Sequence, residues 1–126
     1  MTQRGNHRAF RIEKQIHQLS HELLGAHIKD FAQILRDNQY WLSDYHEPLL
    51  KIHDQLHRAT ERKYYGSVAR IVQANAAGKG VFKFPAAIIR ADREEHKKRI
   101  RLVHDQLEKI EKLATTLQNV SKRPLK

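Results

Sequence analysis

Apolar residues return every three or four positions along most of the chain, the repeat that gathers them on one side of an α-helix. Over Phe10 to Arg36 the series Ile12, Ile16, Leu19, Leu23 passes into Leu24, Ile28, Phe31 and Leu35, so the stripe drifts around one long rod. A second helix is predicted over 40–76, carried by Trp41, Tyr45, Leu49, Ile52, Leu56, Ala59, Val68 and Ile71. Pro48 allows two versions of it, a start with proline in the first turn or a longer helix kinked at that point. The third helix begins at Pro85 and has the most regular pattern: Ile89, Arg93, His96, Ile100, Val103, Leu107, Ile110, Ala114 and Leu117 alternate in steps of three and four, a coiled-coil-like seam.

Two connections separate the rods. RDNQ at 36–39 is short, and ANAAGKGVFKFP at 74–85 stops one helix at Gly78 and Gly80 and restarts at Pro85. Short connections make neighbours antiparallel. The expected architecture is therefore all-α, an antiparallel up-down-up three-helix bundle with a coiled-coil-like third helix. The bundle is expected over 10–120, between a basic N-terminal arm (1–9) and a basic C-terminal tail (121–126).

Length and composition fit this picture: 126 residues make one domain, and with no cysteine there is neither disulfide nor thiolate chemistry. The opening MTQRGNHRAFRIEK has no apolar run behind it, and no stretch approaches membrane-spanning length, so no membrane partner and a cytoplasmic location are expected.

Charge adds a functional direction. The chain carries 24 Lys and Arg against 14 Asp and Glu, a net +10, the range in which nucleic acid becomes a natural partner. The excess is concentrated: residues 1–14 hold +3 and residues 58–101 hold +8, while 15–57 hold −3. In an up-down-up bundle the start of the first helix, the end of the second, the GKG loop and the start of the third meet at one end. All the basic blocks would share that pole, with Asp30, Asp37, Asp44 and Glu47 at the other. Concentrating like charge costs self-repulsion that a bound polyanion relieves. The expected nucleic-acid contacts are Arg58, Arg62, Lys63, Tyr65, Arg70, Lys79, Lys83, Arg90, Lys97, Lys98 and Arg101. Tyr64, Tyr65, Phe82 and Phe84 are interleaved with them. Tyr65 falls opposite the apolar stripe and is the candidate for stacking on an unpaired base, whereas Phe82 and Phe84 are expected to cap the core. Lys79 between two glycines suits a loop holding phosphate, but the spacing of a nucleotide-binding motif is absent.

Nine histidines stand in the chain, and His17/His21 and His53/His57 each put two rings on one helix face. If the second helix runs unbroken from near Tyr40, a hairpin about Asn38 brings the four imidazoles to one height, where a transition metal could bind. His57/Glu61 and His104/Glu108 have the His-x-x-x-Glu spacing seen in hemerythrin-like proteins, but the remaining ligand spacings of that group do not follow. No cofactor is therefore expected. Arg90 and His96 have an Arg-x5-His spacing similar to that of HEPN ribonucleases, which implies phosphate polarisation and proton transfer. Without paired carboxylates, a serine triad or a nucleotide fingerprint, the expectation is no enzyme. It is a largely sequence-independent nucleic-acid-binding helical bundle, with single-stranded DNA or RNA favoured, acting as an accessory subunit of a larger nucleoprotein complex. The alternative is a scaffold module that self-associates, its third-helix seam zipping onto a partner or a second copy and Tyr40, Trp41 and Tyr45 serving as interface anchors.

Overall fold

The apolar periodicities become helices, but five of them and not three. The computed structural model describes residues 2–76 and 84–122. It contains α1 (Thr2–Asp37), α2 (His46–Glu61), α3 (Tyr65–Ala76), α4 (Phe84–Arg90) and α5 (Glu94–Lys122), with no strand among the described residues. The segment expected as a separate arm is continuous with α1 from Thr2 onward. At 36 residues, α1 is about 54 Å long.

Side-chain pairs fix the direction of each rod. Phe31 meets His53 with ring centroids 6.1 Å apart, while His21, two to three turns earlier on α1, hydrogen-bonds Tyr65 just beyond α2, so α2 descends against α1. Along α5, Arg99 donates to Asn38, Gln106 to the carbonyl of His27, and Ser121 lies 3.1 Å from His17, so α5 also descends against α1. Gly66 packs at Gln118 and Gln73 donates to Glu111, which makes α3 antiparallel to α5. Phe84 stands edge-on to His104, and α4 climbs from there to the start of α5. The result is four rods running up, down, up and down, the third split into α3 and α4.

The expected second helix thus breaks in its middle, and the break has a clear local form. The Tyr64 N–H reaches the Ala59 carbonyl and the Lys63 N–H the Thr60 carbonyl, with Lys63 at φ 60°. This is a Schellman termination, with lysine at the left-handed position that glycine ordinarily fills. Hence no glycine marked the stop. The heptad phase did: extended through Leu49 and Leu56 it reaches Lys63 and Arg70, and an unbroken helix would turn these cations toward the core. Folding back instead buries Tyr65, Val68, Ala69 and Val72. A non-glycine residue in this conformation costs about 1 kcal/mol, so Lys63→Gly is expected to raise thermal stability by about that amount in a melting experiment.

Pro48 stands in the first turn of α2, one of its two expected positions. The core joins Leu24, Ile28, Phe31 and Leu35 of α1 to Leu49, Ile52 and Leu56 of α2, Val68 and Val72 of α3, Phe84 of α4, and Ile100, Val103, Leu107, Ile110, Ala114 and Leu117 of α5. The α5 seam is consumed inside the chain and is not a free zipper. Phe84 caps the core as expected, at 1% exposure. Two buried amides fix the height of α5. Asn38 accepts from Arg99 at 2.9 Å while donating to the Ile34 carbonyl, and Gln106 donates to the His27 carbonyl at 2.8 Å.

Candidate nucleic-acid interface

With α3 folded back, the basic segments lie at two ends of the bundle. One end holds the start of α1, the α2–α3 turn and the end of α5. The other holds the α1–α2 connection and the turn from α4 into α5. Asn38 is some 21 residues up α1 from His17, so the two lie about 30 Å apart. The single basic pole expected from an up-down-up bundle is not formed.

The expected contact residues divide accordingly. Arg58, Arg62, Lys63 and Arg70 come together around the α2–α3 turn, all exposed. Among the described residues none of them has a carboxylate within ion-pair reach. Arg58 donates to the Asp54 carbonyl and Arg70 to the Ser67 hydroxyl, so neither guanidinium spends these bonds on a carboxylate, and the exposed acid nearest the turn is Glu61. On α5, residues 113–121 carry no acidic or basic side chain. On α1, Arg11 and Lys14 add two exposed cations beside one exposed acid, Glu13.

Arg90, Lys97, Lys98 and Arg101 are at the far end, against expectation. There Lys97 pairs with Glu94 at 3.6 Å, and Glu95 takes both Lys98 and Arg99 at 3.5 Å. The same end carries Asp37, Asp44 and Glu47, and Asp44 shares a cleft of about 370 Å³ with Tyr40, Trp41, Asp92, Arg93 and His96. Arg99 lies over the Trp41 ring, 5.8 Å from its centroid. Arg90 is not among the residues lining the His96 cleft, and its Nε donates to the Ala86 carbonyl. The α4 to α5 break at 91–93 places the two residues on separate helices. Lys79, Lys83 and Phe82 lie outside the described residues.

Tyr65 is corrected as a stacking candidate. The helix break rotates it inward to 4% exposure, its hydroxyl lies 3.0 Å from His21 Nδ1, and both His17 and His21 stand edge-on to its ring. Its neighbour Tyr64, 58% exposed, is the aromatic presented to solvent. Lys63, Tyr64, Ser67, Arg70, Gln118 and Ser121 border a recess of about 310 Å³ beside it. Nothing in the pattern singled out Tyr64 over Tyr65; only the position of the break does.

Burial pushes the Tyr65 phenol above its ordinary pKa. A folded pKa higher than the unfolded one favours the folded state fully below the unfolded value. That contribution is lost as pH rises through the folded value. Stability is expected to fall above about pH 10, and Tyr65→Phe, whatever it loses at neutral pH with the His21 hydrogen bond, is expected to flatten that fall in pH-dependent denaturation.

The four imidazoles do not converge. His53 and His57 stack on each other at 6.2 Å and face the α1 segment around Ile28 and Phe31, whereas His17 and His21 meet Tyr65 lower on α1; His21 and His57 border one recess of about 330 Å³, which neither His17 nor His53 lines. The eight residues between α1 and α2 set this offset. Among the described residues, the group whose ligand atoms lie within 4.8 Å of one another is His104, Asp105 and Glu108 on α5, one imidazole and two exposed carboxylates. No helix of the described residues is long and apolar enough to cross a membrane.

No protein-family model, curated protein or solved structure matches this chain.

Proposed function

We propose that the protein is a non-catalytic nucleic-acid-binding helical bundle, an accessory subunit of a larger nucleoprotein complex, that holds single-stranded DNA or RNA through its phosphates at the α2–α3 end. The observation that carries this reading is the group Arg58, Arg62, Lys63 and Arg70, exposed and without carboxylate partners among the described residues, beside exposed Tyr64. Cations spaced around a turn meet successive phosphates of a flexible strand. A tyrosine among them supplies a stacking surface, which accepts any base and adds about 1–3 kcal/mol where a base occupies it. Base-edge readout is not part of the design, so affinity follows phosphate number far more than sequence.

A salt titration with a mixed-sequence single-stranded oligonucleotide tests this. For about four neutralised phosphates the logarithm of the association constant falls against the logarithm of salt with a slope near −3. A slope close to zero, or no binding at low salt, rejects the reading.

A further inference from the structure

On α5, His104, Asp105 and Glu108 turn their polar atoms toward one another. His104 Nδ1 lies 3.6 Å from Asp105 Oδ1, and its Nε2 lies 3.7 Å from Glu108 Oε1. One ligand atom from each residue stands within 4.8 Å of the other two. This pairing runs against the local charge pattern. The customary partner of an acid on a helix is a cation four residues away; Asp105 has Arg101 and Lys109 at that spacing, and Glu108 has Lys112. Yet among the described residues both carboxylates pair with His104 alone. His104 is half-buried, and Phe84, buried at the start of α4, stands edge-on to its ring at 5.3 Å, which restricts how the imidazole turns. The sequence HDQL also occurs at 53–56, where His53 meets Asp54 at 3.3 Å. There the next residue, His57, stacks on His53 and directs its Nε2 to Glu61 at 3.1 Å. Of the two copies, the one on α5 brings its three ligand atoms together.

We propose that His104, Asp105 and Glu108 form a binding site for a divalent transition metal of the zinc class. His104 Nε2 and the Glu108 carboxylate, one helical turn apart, bind the ion as a chelate. Ligand atoms at about 2.0–2.2 Å from a metal stand about 3–3.5 Å from each other, close to the 3.7 Å already present. Asp105, beside Nδ1, favours the proton on that nitrogen and so leaves Nε2 bare for the metal. Water completes the coordination, since both carboxylates are exposed. The donor set chooses the metal. An imidazole nitrogen suits zinc and its neighbours, whereas calcium takes about six to eight oxygens and magnesium keeps several of its waters. Arg101, Lys109 and Lys112, each four residues from one of the acids, oppose an ion held by charge alone, so direct coordination by nitrogen decides the outcome. With two side-chain ligands and one orienting carboxylate, against the four ligands of a structural zinc site, the site fills and empties with metal supply. It is independent of the nucleic-acid reading, since it uses none of Arg58, Arg62, Lys63 or Arg70.

A zinc titration of the full chain, without oligonucleotide and followed by the imidazole NMR signals of its nine histidines, tests the site. The His104 signals, assigned by their loss in His104→Gln, are expected to respond first and to saturate at one equivalent, with no response to magnesium or calcium at the same concentration. Glu108→Gln is expected to abolish this first step and Asp105→Ala to weaken it about 10–100-fold, both with unchanged helix content by circular dichroism. His57→Gln, at the other HDQL, should leave it as it is. Zinc that shifts the His17/His21 or His53/His57 signals ahead of His104, or that binds wild type and Glu108→Gln equally, overturns the proposal. An equal response to magnesium does the same. The order of occupancy is read in the wild type alone, so the test holds even if a variant fails to fold.

Discussion

Phe31→Ala is expected to remove about 3–5 kcal/mol of stability, lowering Tm by roughly 10–20 °C for a chain of this size. Phe31 is fully buried, meets His53 of α2, and belongs to the core in which α1, α2 and α5 come together. Truncating it loses the transfer energy of the ring and leaves a cavity that three packed helices cannot collapse to fill. Against a total stability of about 5–15 kcal/mol, that is a large share. Thermal and denaturant unfolding of the variant measure it. Leu19→Ala, at a position 64% exposed, provides the contrast: it should move Tm little.

The second large effect is on binding. Replacing Arg58, Arg62 and Lys63 together by glutamate turns the α2–α3 turn from a group of unpaired cations into an acidic surface beside Glu61. It should weaken oligonucleotide binding by at least about 100-fold near 0.1 M salt and flatten the salt dependence of what remains. Among the described residues the three side chains are exposed and belong to no ion pair, so the change breaks none, and circular dichroism of the variant checks that the helices are kept. The equivalent substitution of Lys97 and Lys98 is the control. These lysines already face Glu94 and Glu95, and their loss should change affinity by less than about tenfold. Equal effects at both ends would mean that no end is favoured.

How far the sequence reveals this arrangement depends on the kind of signal. The seam of α5 from Ile100 to Leu117 and the inner face of α1 from Leu24 to Leu35 are legible because long, strictly periodic stripes allow one burial pattern. The α2–α3 break is hidden because lysine stands at the left-handed position and only the lost phase at Lys63 and Arg70 betrays it. A single missed turn then propagates. An unbroken second helix leaves three rods and pools all cations at one end; a fourth rod sends Arg90 through Arg101 to the end that holds Asp37 and Asp44. The same turn exchanges the roles of two adjacent tyrosines, burying Tyr65 against His21 and exposing Tyr64. Composition and charge count survive such an error, and the placement of charge does not, because residues distant in sequence meet only through topology.

The first half of the α1 stripe shows the converse. Ile12, Ile16, Leu19 and Leu23 are plain in the sequence, yet read there as the lower part of a core stripe. Only the positions at which α2, α3 and α5 meet α1 separate the covered half of the stripe from the uncovered one.

Lysine acetylation followed by mass spectrometry, with and without a bound single-stranded oligonucleotide, tests the division of the cations most directly. Lys63 is expected to be strongly protected by the oligonucleotide, while Lys97 and Lys98 react at the same rate in both samples. Protection confined to Lys97 and Lys98, with Lys63 still reactive, contradicts binding at the α2–α3 end.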